Sequence, residues 1–161
     1  MKNLAEKVFT EKAWAKLSQE EKNLVIASKA KALMIVFEGS IKIGNALQIK
    51  DKIVKQNLRT KKIISIFAYG VTDGIAQIYD VDTTEAYECY QHYMSEKIDE
   101  DKDYLTVWKF IKKNLVIKNR LNKKYTKIVQ KGVQAASDFS NNKLKNQVLL
   151  HSIILDKKII L

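Results

Sequence analysis

The chain has 161 residues, a size at which one domain buries about 70% of the surface its unfolded form exposes, so a core forms without metal or disulfide staples. Hydrophobic residues make up 46% and charged residues 29%, which excludes wholesale disorder; a single cysteine, Cys89, excludes an intramolecular disulfide and a multi-cysteine zinc site. The formal net charge of +11 comes from one third of the chain, since residues 1–104 hold sixteen basic and sixteen acidic side chains and residues 105–161 hold thirteen and two.

Proline is absent and glycine occurs only at 39, 44, 70, 74 and 132, so the residues that stop helices are scarce. The expected architecture is all-α, a single helical bundle spanning 1–161 with six or seven helices. The opening MKNLAEKVFTEKAW lacks the apolar centre of a leader peptide, and no uncharged stretch approaches the ~20 residues of a spanning helix. A cytoplasmic protein without a transmembrane segment is expected, in keeping with the lone cysteine.

In chain order, Thr10 suits the cap of a short helix, TEKAWAKL. Ser18-Gln-Glu-Glu21 is a capping-box pattern, and a helix over about 19–37 follows, with Leu24, Ala27, Ala30, Met34 and Phe37 at three- and four-residue spacing. Glu38-Gly39-Ser40 supplies the next break, with Gly39 beyond one helix and Ser40 capping another over about 41–58. Thr60 then caps a helix over 61–80, the most apolar stretch and the expected centre of the fold. Gly70 and Gly74 share one face of it, a spacing suited to a close helix crossing within the chain or to a seam between two copies.

Asp82-Thr-Thr-Glu85 opens a helix over about 83–97 in which Tyr87, Tyr90, Tyr93 and Met94 cluster, with rings packed and hydroxyls in water as the expectation. Asp99-Glu-Asp-Lys-Asp103 starts like a calcium loop, but Tyr104 replaces the sixth-position glycine and Phe110 the twelfth-position glutamate, so it reads as the acidic cap of the next helix. That helix is expected to run from 103 to 131, with Gly132 at a bend or end and Ser137–Asn142 as a loop. A last helix, about 143–155, aligns Leu144, Val148, His151 and Leu155.

No phosphate-binding glycine loop and no catalytic signature is present. Glu88, Cys89 and His92 lie three and four residues apart on one helix, near enough for a metal half-site or a thiol–imidazole pair, yet no second half-site, oxyanion hole or orienting group accompanies them. His151 sits on an apolar stripe and reads as a core histidine. A non-enzymatic protein with no cofactor and no metal is therefore expected.

The feature left over is the stretch 109–131, which carries nine Lys or Arg. At 100° per residue, Lys109, Lys112, Lys113, Arg120, Lys123, Lys124, Lys127 and Lys131 fall within an arc of about 120°, opposite Trp108, Ile111, Tyr125 and Ile128. The expected use of this face is partner binding: an adaptor, regulator or inhibitor that meets an acidic protein surface. The alternative is an accessory protein gripping a nucleic-acid backbone without reading sequence, since 27 of the 29 basic residues are Lys, a point charge unsuited to bidentate base recognition. In a lysine-rich chain the face could also be only solvated.

Overall fold

The structure, a computed structural model, describes residues 11–47, 53–114, 123–141, 143, 149–156 and 158–159. It is all-α, with no strand among those residues. After a helical turn at 11–15 come α1 (Gln19–Ala46), α2 (Leu58–Ile78), α3 (Thr83–Glu100), α4 (Asp103–Asn114), α5 (Lys123–Ser140) and α6 (Leu149–Leu155). One hydrophobic cluster draws side chains from all six. No helix among the described residues is long and apolar enough to cross a membrane.

Local capping sets the start of α1 where the sequence places it. Ser18 Oγ accepts from the Glu21 amide and Glu21 Oε1 accepts from the Ser18 amide, both at 3.1 Å. Its end differs: the helix passes through Gly39 without a break. Ser40, Ile41 and Gly44 continue the buried stripe of Leu33, Met34 and Phe37, and the Ser40 hydroxyl donates to the Phe37 carbonyl. Burial along one face outweighs the roughly 1 kcal/mol that an interior glycine costs a helix.

The expected helix over 41–58 is consequently not one element. Its first part completes α1, residues 53–56 are non-helical, and Leu58 begins α2; residues 48–52 lie outside the described set. Asn45 ties the two sides together, accepting from the Val54 amide at 2.8 Å and donating to the Val54 carbonyl at 3.1 Å. The cap of α2 is Asn57, not Thr60. Asn57 Oδ1 accepts from the Thr60 amide at 2.9 Å, so Thr60 is the residue being capped.

The apolar composition of α2 puts it where expected, at the centre, in contact with each of the other five helices. Gly70 and Gly74 serve an intrachain crossing with α5. A methyl on Gly70 would overlap the Val129 carbonyl oxygen, one on Gly132 would overlap the Phe67 carbonyl oxygen, and one on Gly74 would stand 2.9 Å from the Ala136 side chain. That face is thus filled by the chain itself, which removes the basis for a Gly70/Gly74 seam between copies. Gly132 is neither bend nor end, because α5 uses it mid-helix to let the two backbones meet. The loop expected over Ser137–Asn142 is helical as far as Ser140, continued by buried Ala135 and Ala136 and by a Gln134 to Asp138 bond of 2.8 Å.

The helix expected over 103–131 is two elements. The Phe110 and Tyr125 rings stand 5.9 Å apart between centroids. One straight helix would separate those fifteen residues by about 22 Å, so α4 and α5 cannot be successive parts of a single rod. Residues 115–122, including Lys118 and Arg120, lie outside the described set, as do Thr10, Leu144 and Val148.

Candidate functional site

Each of the two basic helices is amphipathic. In α4 the inner side is Tyr104, Val107 and Ile111, which leaves Lys109, Lys112 and Lys113 exposed. In α5 the inner side includes Tyr125, Ile128 and Val129, with Lys127 exposed and Lys131 half-buried. Lys123 and Lys124 belong to the first turn of α5, and Arg120 falls outside the described residues. The Phe110–Tyr125 contact brings the two helices together at this point.

Lys62 of α2 joins the same neighbourhood, its ammonium 4.3 Å from the Phe110 ring centre. Sequence spacing could not find it, because it comes from a helix more than forty residues earlier. Lys112 lies 5.7 Å from the Trp108 ring centre. Both contacts keep an ammonium beside an aromatic face at the surface, an attraction of about 0.5–1 kcal/mol in water.

Three lysines elsewhere are paired within the chain. Lys31 pairs with Glu96 at 2.8 Å and Glu100 at 3.0 Å, and Lys97 with Glu38 at 2.7 Å. Lys61, nearly buried, meets Asp101 at 2.8 Å and Asp103 at 2.7 Å. The hydrogen bonds that Lys61 donates to Asp101 and Asp103 hold its ammonium above its ordinary range, and the Lys61 bond holds the Asp101 carboxyl below its own. Lys109, Lys112, Lys113 and Lys127 have no ion pair among the described residues, consistent with the near-absence of acidic residues from the last third of the chain.

The Glu88, Cys89 and His92 group does not converge. Cys89 is fully buried, and burial pushes its thiol up to about 11, with the Glu85 and Glu88 carboxylates adding to the rise. A thiol so placed is protonated at neutral pH, which removes the nucleophile the pair would need. Glu88 is exposed, and Glu85 Oε2 is occupied by the Asn23 amide at 2.6 Å. Among the described residues no three His, Cys, Asp or Glu side chains are grouped as metal ligands.

The tyrosines of α3 depart from expectation. Tyr90 and Tyr93 bury their hydroxyls as well as their rings. Tyr90 donates to the Ser65 carbonyl at 2.7 Å and its ring meets Tyr69 and Trp108 edge-on, at 5.0 and 6.0 Å. Desolvation raises both phenols well above their ordinary value. Neither ring is available as a stacking surface. His151 is a core residue, as its apolar stripe implies: fully buried, with Nε2 3.3 Å from Asn45 Oδ1 and its ring against Gly44, where a methyl would come within 2.5 Å.

No protein-family model, characterised protein or solved structure matches the chain.

Proposed function

We propose that the chain is a non-enzymatic helical binding protein whose α4 and α5 lysines dock on an acidic surface of a partner protein. The observation that carries this reading is the exposure of Lys109, Lys112, Lys113 and Lys127 on two neighbouring helices of a region almost without acidic residues, with no ion pair to any of the four among the described residues. Cations left uncompensated on rigid elements steer an oppositely charged surface and fix its register. Lysine suits that task, since its compact charge needs no planar acceptor.

A straight row of cations matching a run of phosphates would favour the nucleic-acid alternative. Two helices that meet through Phe110 and Tyr125 present two shorter groups instead. The test is a triple reversal, Lys113→Glu, Lys124→Glu and Lys127→Glu, compared with wild type for capture of the natural partner from the source cells. Loss of recovery, with an association rate falling at least tenfold at low salt, supports the reading; unchanged recovery removes this face from the interaction. Tight binding to duplex DNA, with an affinity that falls linearly on a log–log salt plot, would move the reading to a phosphate backbone.

A further inference from the structure

Near its start α2 carries three cations, Arg59, Lys61 and Lys62. Two of them meet acceptors from their own chain. The Arg59 guanidinium donates to the carbonyls of Ile154, Asp156 and Ile159 at 2.7, 3.2 and 3.1 Å, and the Lys61 ammonium is held by Asp101 and Asp103. Lys62 has no ion pair among the described residues. Its contact is a ring: the ammonium stands 4.3 Å from the centre of Phe110 on α4. The other lysines that lie over aromatic rings stand farther off, at 5.1 to 5.9 Å, and two of those, Lys61 and Lys97, already hold carboxylates.

We infer that Lys62 is the anchor of the lysine face, the point at which one Asp or Glu side chain of the partner protein is received. This rests on the reading of α4 and α5 as a docking surface and adds a residue of α2 to it. Position singles it out. The Phe110 ring meets Tyr125 of α5 edge-on, so Lys62 stands where α2, α4 and α5 come together. Lys113, exposed and three residues on from Phe110, is a neighbour of that ring along the surface of α4.

Preorganisation singles it out as well. An exposed lysine gives up rotamer freedom when it pairs, which is one reason surface ion pairs contribute so little. Lys62 is half-buried with its ammonium already against a ring, so part of that freedom is lost before a partner arrives. An ammonium has three N–H donors, and the ring takes up one side of it. The other side is left for a carboxylate, and both attractions strengthen when a docked partner shuts out water. Lys112 makes a looser contact of the same kind, 5.7 Å from Trp108, and is exposed, so it ranks below Lys62.

Acetylation of the full chain by acetic anhydride at low salt, followed at each lysine by mass spectrometry with and without hexaglutamate, tests this anchor. The peptide should slow modification of Lys62 about fivefold or more, of Lys109 and Lys112 about twofold, and of Lys22, which lies against Trp14 on α1, not at all. The dissociation constant for hexaglutamate should rise about tenfold in Lys62→Gln, about fivefold in Phe110→Leu, which keeps the charge and removes the ring, and about twofold in Lys112→Gln. Protection spread evenly over the lysines overturns the anchor and leaves the docking face standing. So does an affinity kept in Lys62→Gln but lost in the Lys113, Lys124 and Lys127 reversal. Equal protection of Lys62 by hexathymidylate would overturn the carboxylate assignment in favour of phosphate, and a wild-type chain that does not bind hexaglutamate at low salt overturns both the anchor and the face.

Discussion

Gly70 and Gly39 lie inside the two longest helices, and a methyl group added to each meets opposite surroundings. At Gly70 it runs into the backbone of α5; at Gly39 it points into empty space. Both helices are apolar on more than one side, but α2 is covered along its middle, with only its ends exposed, and α1 leaves Ile35 and Val36 exposed at mid-length. An apolar face and a small residue therefore specify that close packing is available, and only the placement of the other helices says whether the chain itself uses it.

The largest effects should come from the used crossing. Gly70→Ala and Gly132→Ala force two backbones apart, so each should lower unfolding free energy by about 3 kcal/mol or more, read as a fall in the urea midpoint. Gly44→Ala tests a softer version of the same contact, because the obstacle is the His151 ring, a side chain that can shift; a loss of about 1–2 kcal/mol is expected. If Gly44→Ala proves as damaging as Gly70→Ala, the distinction between backbone and side-chain obstruction fails. Gly39→Ala, measured in the monomer, should raise stability by about 1 kcal/mol, the usual gain from replacing an unobstructed mid-helix glycine.

The smallest expected effect touches no glycine. Lys61 holds the Asp101 carboxyl below its ordinary range, so the stability that pair contributes is present above the unfolded carboxylate value of about 4 and disappears as pH falls through the lowered folded value. Urea midpoints should stay level from neutral pH to about pH 4 and decline below it, with a shallower decline in Asp101→Asn. The effect should shrink with added salt, since Asp101 is 40% exposed. An acid limb identical in Asp101→Asn would assign the loss to other carboxylates.

The parts of this fold readable from sequence are those governed within a few residues. Ser18 with Glu21, and Asp82 with the Glu85 amide at 2.9 Å, fix helix starts by contacts three residues long. The apolar content of α2 likewise announces its central place. Gly39 misleads because the break it suggests is countered by distant burial of Ile41 and Gly44, which no local pattern reveals. Periodicity also failed over 109–131: the lysines keep a helical beat across two separate helices, and the contact that excludes a single rod, Phe110 on Tyr125, is tertiary. Lys62 was out of reach for the same reason. The lysine face was legible as composition and as a helical period, but its division between two helices, and the lack of an ion pair to its exposed members among the described residues, required the structure.

The most direct test of the contrast between the two helices is a pair of equilibrium unfolding curves, Gly39→Ala and Gly70→Ala, each against wild type at a concentration where the chain is monomeric. The account predicts midpoints that move in opposite directions, up for Gly39→Ala and down for Gly70→Ala. Midpoints that fall together would show that α1 already packs its outer side within the monomer and would contradict it.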